Sequence, residues 1–485
     1  MPQRLFSRER IWLFPPSLDE MIPEDHPVRF VAAFVDSLSE KEWHELGINP
    51  HGEARGAPEY SPRALLGIWL YGFMSGTRKS RKLEDACRNQ IPYLWVSGWQ
   101  QPDHNTLWRF YKEYRGDMRT LFKRTIKTAV KMDLIDLAVQ AIDGTKIAAN
   151  AAKDRIYDEE GLERLEKRVD EKVDELERQN EEEYGYDPVH LPKELRKAKA
   201  MKEKIKEVKK ELARDEKRKK INLTDGDAGL MKIGPGIVPG YNFEAAGHQL
   251  KEGVAGVKGK IFTAADVVQD SADTEQLTKM IEQSKENLEI KVELSLADAG
   301  FGSGANLAEC EKLEQKIVMP MTEEKAQKDP YHKSKFTYHE ETDTYTCPEG
   351  RTLSYRGNQK IDKIKYRKYR INRGLCKLCP AFGVCTKSGQ RTICRSPYEE
   401  SLRRHQEWME TEEAKEAYKK RKWIIEPMFG ITKEQMGIRC FWLRGLENVK
   451  SEGMMIATAF NLRTLYKVWQ RWLSVDEKKW KFTAA

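Results

Sequence analysis

Leu137-Ala-Val-Gln-Ala-Ile-Asp143-Gly-Thr145 is the stretch on which the architecture turns. Leu137, Val139 and Ala141 recur with the period of 2 of a β-strand, and the run delivers an acid followed by a glycine. A carboxylate brought in on a buried strand is costly unless something coordinates it. The device recurs in Ile290-Lys-Val-Glu-Leu-Ser-Leu-Ala-Asp298-Ala-Gly300, where Val292, Leu294 and Leu296 alternate and the strand runs into a glycine turn. Asp298 is therefore predicted at the carboxyl edge of a sheet. Between these runs, Gly240-Tyr-Asn-Phe-Glu-Ala-Ala-Gly-His-Gln and Lys260-Ile-Phe-Thr-Ala-Ala-Asp-Val-Val read as strands and residues 274–287 as a helix. Strand, insertion, strand pair, helix, strand and later helix make a mixed α/β layer fold.

Upstream, residues 1–135 read as helical. Ser61 caps and Pro62 opens a helix that buries Leu65, Leu66, Trp69, Leu70 and Phe73. Asp103, after Pro102, starts another helix, whose Arg109 and Lys112 suit either a groove-entering helix or an ordinary capped one. Residues 454–472 form an amphipathic helix that packs on the core.

At 485 residues the length fits about three domains, or one domain carrying large insertions. The formal charge of +8 is too small to select a partner, but its distribution is uneven. Residues 158–184 carry 13 acids and 5 bases, and residues 192–220 carry 6 acids and 14 bases, each with an apolar stripe at helical spacing. Gly185, Pro188 and Pro192 break the run, so residues 157–220 are predicted to be an antiparallel hairpin of one acidic and one basic helix. Disorder, or a basic helix lying on nucleic acid, are the alternatives. Residues 351–422 hold 20 bases against 8 acids, a concentration suited to phosphate. No apolar stretch approaches the roughly 18 residues that span a bilayer, and the N-terminus lacks a signal-peptide core, so a soluble, cytoplasmic protein is expected.

Five of the eight cysteines fall at Cys347, Cys376, Cys379, Cys385 and Cys394. A Cys-x2-Cys pair with two more thiols has the inventory of a tetrahedral Zn²⁺ site, with Cys347, Cys376, Cys379 and Cys385 as ligands. Reduced loop thiols and an iron–sulfur cluster are the other readings. The surrounding Arg351, Arg356, Lys363, Lys365, Arg367, Lys368, Arg370 and Arg373, interleaved with Tyr355, Tyr366 and Tyr369, suit phosphate and base contact. Cys87, Cys310 and Cys440 read as packing residues.

A third acid, Glu426, lies in Tyr418-Lys-Lys-Arg-Lys-Trp-Ile-Ile-Glu-Pro-Met-Phe-Gly-Ile-Thr-Lys433 among apolar residues and cations. Two strand-borne aspartates and a glutamate are hard oxygen ligands for Mg²⁺ or Mn²⁺, ions that serve in-line phosphoryl displacement. Singly, each acid reads as a cap or a surface ion pair.

Taken together, Ala141-Ile-Asp-Gly-Thr-Lys-Ile-Ala-Ala-Asn, Leu296-Ala-Asp-Ala-Gly-Phe-Gly-Ser-Gly-Ala-Asn-Leu and Ile425-Glu-Pro-Met-Phe-Gly-Ile-Thr-Lys resemble the three acidic signatures of bacterial insertion-sequence DDE transposases. Tyr60-Ser-Pro-Arg-Ala-Leu-Leu and Pro102-Asp-His-Asn-Thr-Leu-Trp-Arg-Phe resemble the helical N-terminal domain of one such group. The resemblance implies a ribonuclease H-like catalytic domain at residues 136–470, interrupted by the helical hairpin and by a cysteine-rich insertion at residues 322–396. It implies that Asp143, Asp298 and Glu426 bind the catalytic metal, which nicks DNA at the element's end before the freed 3′-hydroxyl attacks target DNA.

Tyr418, Arg421 and Lys433 match the family's third signature in order, but Arg421 lies five residues before Glu426 where the better-known spacing is four and Lys422 stands. One residue is about 100° of helix, so only one of the two cations should face the site. Arg439 and Arg444, after the glutamate, resemble the family's arginine-bearing segment and are expected to contact DNA, although helix-end cations would look the same. The partners implied are terminal inverted repeats, target DNA and a second copy of the chain at synapsis, with the protein associated with the nucleoid when it is bound to DNA. A non-catalytic DNA-binding regulator, or a metal nuclease that cleaves without joining, would carry much of this pattern too.

Overall fold

A computed structural model describes residues 17–51, 60–184, 192–214, 218–253, 256–270, 274–321, 329–361 and 364–473. Gly185, Pro188 and Lys363, which figured in the reading above, lie outside them.

The N-terminal region is helical: α1 (Pro27–Asp36), α2 (Glu40–Glu45), α3 (Pro62–Ser75), α4 (Ser80–Asn89), α5 (Ile91–Val96), α6 (His104–Tyr114) and α7 (Arg119–Lys131). α3 buries all five of the expected side chains. Pro62 opens it, but Ser61 makes no capping bond with its side chain, which corrects the expectation. Asp103 does cap α6, accepting from the Thr106 N–H at 2.7 Å. Arg109 and Lys112 are exposed on that helix.

The central sheet is mixed. β1 (Val139–Ala148) lies at its middle, antiparallel to the long β5 (Gly236–Gln249) on one side and parallel to β7 (Leu294–Leu296) on the other. β8 (Lys316–Val318) continues the parallel edge. Beyond β5 lie β4 (Gly229–Ile233) and β6 (Lys260–Val268), both antiparallel to it along different parts of its length. The strand expected over residues 290–297 is thus regular only at its end.

α10 (Leu277–Leu288) packs on one face of this sheet and α14 (Leu446–Leu473) on the other, the latter longer than the pattern at residues 454–472 suggested. α14 also joins the N-terminal helices to the sheet through Glu452, which is 2% exposed and meets Arg78 at 2.8 Å. The same carboxylate accepts from the Trp442 and Leu443 N–H groups at 2.9 Å each, so the buried charge is fully partnered.

β1 continues through β2 (Ile156–Tyr157) into α8 (Glu159–Tyr184) and α9 (Lys193–Arg214), and β3 (Ile221–Asn222) returns to pair with β2. The acidic and basic helices lie against each other. Lys199–Glu177 at 2.5 Å, Lys202–Asp170 at 2.7 Å and Lys209–Glu166 at 2.6 Å pair across the seam, and Leu162, Ile205 and Val208 are buried within it.

After α11 (Gly304–Lys312) and β8 comes a second, five-stranded antiparallel sheet that the cysteine spacing did not foretell: β9 (Thr337–His339), β10 (Thr344–Thr346), β11 (Thr352–Ile361), β12 (Ile364–Arg370) and β13 (Thr392–Arg395). Its small core gathers Phe336, Tyr345, Leu353, Tyr369, Ile371, Cys376 and Ile393. The chain then returns to the first sheet through α12 (Glu399–Met409) and α13 (Glu412–Gly430). No helix among the described residues is long and apolar enough to cross a membrane.

His248 on β5 is wholly buried, with Nδ1 3.0 Å from the Asp136 carbonyl oxygen. Burial pushes its imidazole down from 6.5 to about 4, with the Asp136 carbonyl opposing the shift. Because the folded value is the lower one, the unfolded chain binds more protons, so this contribution to stability is present above pH 6.5 and is lost as pH falls towards 4. Urea unfolding should weaken by about 2–3 kcal/mol between about pH 7 and 4.5, and His248→Gln should flatten that slope.

Candidate active site

The neighbouring strands β1 and β7 bring the two aspartates together. Val139 pairs with Leu294 and Ala141 with Leu296, and carrying that parallel register two residues further sets Asp143 level with Asp298. Below them, Gln140 donates to the Ser295 hydroxyl at 2.8 Å in the buried interior and ties the two strands. Gly144 follows Asp143 for a steric reason. It pairs with Glu244 on β5, and a Cβ there would lie 2.7 Å from the buried Glu244 carboxylate.

Each aspartate spends one oxygen on the backbone. Asp143 Oδ1 accepts from the Gly144 N–H at 2.9 Å, and Asp298 Oδ1 accepts from the Gly300 N–H at 2.7 Å, capping a short turn. The cap reading of Asp298 is therefore correct as far as it goes. Its other oxygen, like that of Asp143, faces α13.

α13 rests on β1, β5, β7 and β8. Gly247 on β5 permits the approach, since a Cβ there would come within 2.4 Å of the sulfur of Met428, a fully buried residue. Ala414, Ala417, Arg421, Ile424 and Met428 are all buried at steps of three and four, so an arginine occupies a core position on the stripe that faces the sheet. Its guanidinium reaches all three acids: Nη2 is 2.7 Å from Asp143 Oδ2 and 3.6 Å from Asp298 Oδ2, and Nη1 is 3.6 Å from Glu426 Oε1. Side-chain exposure grades from 9% at Arg421 and 14% at Asp143 to 35% at Asp298 and 51% at Glu426, so the cluster is closed on the sheet side and open beside the glutamate.

Arg421 is therefore the cation that faces the acids, and Lys422 is exposed away from the buried stripe. Sequence reasoning left that choice open and missed that Arg421 binds the carboxylates themselves; the signal available was its place in the apolar stripe. Tyr418 is half-buried beside the cluster. Its phenol is pushed up by burial and by the three carboxylates, against the opposing charge of Arg421.

The remaining candidates stand apart. Lys433 lies on a wide turn after α13 (Ile431–Gln435), and burial pushes its ammonium down while Glu434 opposes the shift. Arg439 is ion-paired with Glu434, and Arg444 Nε donates to the Asn150 carbonyl at 2.7 Å. None of these three has an ion pair with Asp143, Asp298 or Glu426 among the described residues.

In the second sheet, Cys347, Cys376, Cys379 and Cys385 line one small cavity of about 20 Å³ together with Leu353 and Ile371. The Arg351 and Arg391 N–H groups donate to the sulfurs of Cys347 and Cys376, both at 3.3 Å. Burial pushes the Cys385 thiol up; Arg391 opposes this and the other three thiols add to it. Cys394 sits on β13, its sulfur 3.7 Å from Gln359 Oε1, and does not line the cavity. Cys87 and Cys310 are buried in the cores, as expected of packing residues, and Cys440 is half-buried. Among the described residues no three Cys, His, Asp or Glu side chains are already gathered closely enough to hold an ion. In the acidic cluster it is Arg421 that stands between the carboxylates.

A family model described as a transposase DDE domain matches residues 346–466, and one described as a transposase domain matches residues 16–113. The two matches support an insertion-sequence DDE transposase, with DNA transposition as its general process and DNA as the partner the family implies. The first match includes Glu426 and the four cavity cysteines, whereas Asp143 and Asp298 fall before it. No curated protein matches the chain.

Removing Arg421 takes the ion pair from the poorly exposed Asp143 carboxylate while two other carboxylates stay beside it. Arg421→Ala should cost about 3–5 kcal/mol in urea unfolding with chelator present, the range for breaking a buried pair. Arg421→Lys should recover only part of that, because an ammonium lacks the fork that serves separate carboxylates.

Proposed function

We propose that the chain cleaves DNA at the ends of an insertion sequence and joins those ends to target DNA, using Mg²⁺ or Mn²⁺ held by Asp143, Asp298 and Glu426. The observation that carries this reading is the convergence of three acids, widely separated in sequence, on the single guanidinium of Arg421. A cluster of carboxylates held by one cation is electrostatically suited to another cation, and oxygen donors of this kind suit Mg²⁺. The Oδ2 atoms of Asp143 and Asp298 both face Arg421 while backbone N–H groups hold the Oδ1 atoms. The metal supplies activation of water and stabilisation of charge on the transferring phosphoryl group. Asp143 is positioned by a strand, Asp298 by the capped turn after one and Glu426 by a helix, the preorganisation that phosphoryl transfer depends on. Arg421, Tyr418 and Lys433 are assigned to DNA phosphate at this edge, with Lys422, Arg439 and Arg444 on the outer approach.

The central sheet, with three antiparallel strands followed by two parallel ones and the first acid on the middle strand, supports a ribonuclease H-like core. Residues 1–135 are assigned to recognition of the terminal repeats and residues 136–470 to catalysis, with insertions at 157–220 and 322–396. Two DNA ends brought together require two active sites, so a homodimer acts at synapsis, on DNA in the bacterial cytoplasm.

On a duplex carrying the element's terminal repeats, Asp143→Asn should reduce Mg²⁺-dependent cleavage by at least about 100-fold, since even changes to groups that support a metal ligand cost up to that much. Duplex binding, read by fluorescence anisotropy, should persist. Undiminished cleavage would remove Asp143 from the site, and cleavage by the parent chain without joined product would limit the activity to a nuclease.

Cys347, Cys376, Cys379 and Cys385 are assigned to a structural Zn²⁺ ion. The support is the donor set: four thiols around one enclosed space, two of them already accepting backbone N–H groups as thiolates do. The five-stranded sheet has only a small apolar core, the situation in which metal binding contributes folding energy. Elemental analysis should give about one zinc per chain. Cys376→Ser should lose that zinc and lower the melting temperature, and a parent protein without zinc would sink the assignment.

A further inference from the structure

β11 and β12 pair with each other well beyond the rest of their sheet. β10 meets β11 only over residues 352–354, and β13 meets β12 only over residues 367–370. Residues 359–361 and 364–366 therefore pair only with one another among the described residues. They form a two-stranded ribbon that no third strand flanks among the described residues, with the Cys394 sulfur of β13 3.7 Å from Gln359 Oε1 at its base.

The base of the ribbon is anchored. Arg367 is ion-paired with Asp343 and lies 4.8 Å from the centre of the Tyr355 ring. Asp343 in turn accepts from the hydroxyls of Tyr338 and Tyr369, at 2.9 and 2.6 Å. The outer part is different. Lys360 and Lys365 sit directly opposite each other, and like charges in that position destabilise a strand pair. Among the described residues neither they nor Lys368 have an acidic partner, and residues 351–373 hold nine bases and one acid, Asp362. Asn358 and Gln359 on one strand face Arg367 and Tyr366 on the other, placing amide groups and a phenol among the cations.

Lysines on a free edge also discourage strand-to-strand aggregation, but either sign of charge, or an alternation of both, meets that need. A ribbon whose paired strands carry only cations, with amides between the charges, is matched to a polyanion that presents hydrogen-bonding edges. The major groove of duplex DNA, about 12 Å wide, admits a two-stranded ribbon, and Asn, Gln, Arg and Lys are the side chains that read its base edges. We propose that the β11–β12 ribbon enters the major groove of duplex DNA, with Lys360 and Lys365 on phosphates and Asn358, which shares their face, towards the bases. This rests on the reading of the chain as a transposase and gives the second sheet a DNA contact separate from the acidic cluster.

The test is binding of the full chain to a fluorescent duplex across a salt series. Each phosphate contact contributes a slope of about 0.9 in log K against log salt, so Lys360→Ala/Lys365→Ala should lower the slope by about 2 and weaken binding by roughly 10- to 60-fold at about 0.1 M salt. Lys360→Arg/Lys365→Arg should keep the parent slope, and an unchanged melting temperature and zinc content would show that the ribbon variants fold. Lys204→Ala/Lys210→Ala, which removes two exposed bases from α9, should leave the slope near that of the parent. An unchanged slope in the ribbon variant, or an equal loss in the α9 variant, overturns the proposal. So does an equal loss on single-stranded DNA, which has no major groove. A parent chain that binds no duplex would instead overturn the transposase reading itself.

Discussion

Three carboxylates around one guanidinium are the constraint on which the acidic edge of the central sheet depends. Like charges gathered in a partly desolvated cleft repel, and at an effective dielectric near 20 a pair about 4 Å apart is worth about 4 kcal/mol. Arg421 converts that repulsion into attraction. Because it is the least exposed member, its charge is the least screened, and it draws the middle of β1 and the turn after β7 towards α13. The price is that the guanidinium must be held at a core position, which the apolar neighbours Ala417, Ile424 and Met428 provide.

Everything around this cluster serves to bring three elements to one edge without obstructing it. The hairpin α8–α9 leaves from the far end of β1 and closes its charges internally, so it adds mass without adding net field. The second sheet is inserted between β8 and α12, and the chain returns from it to place α13 across the first sheet. Two glycines set the distances. Gly144 leaves room for the buried Glu244, and Gly247 lets α13 come down onto β5. Glu452, buried between Arg78 and two backbone N–H groups, ties α14 and the N-terminal helices into the same body.

Much of this was legible from local pattern. Period-2 alternation marked the strand that carries Asp143 and the one that precedes Asp298, helical stripes with opposite charge marked α8 and α9, and Cys-x2-Cys marked the pocket now seen beside Leu353 and Ile371. What escaped depends on partners distant in sequence. β7 is only three residues long, because its regularity comes from pairing with β1 and β8 and not from its own alternation. The five-stranded sheet was hidden in a basic, weakly apolar segment whose strands are held by one another and by the pocket of thiols.

The sequence by itself determined which residue types carry the charge, that one acid rides on a strand and another follows one into a glycine turn, and that the excess of cations sits between the second and third acids. Local chemistry suffices for this, since alternation, helical stripes and turn residues are short-range signals. Only the tertiary structure decided that Asp143 lies level with Asp298, that Arg421 and not Lys422 turns inward, that Arg439 and Arg444 are tied to other groups, and that β11 and β12 project as a ribbon. Those outcomes follow from strand register, from the face on which a helix docks and from where neighbouring strands end. Each is set by contacts between segments that no local pattern encodes.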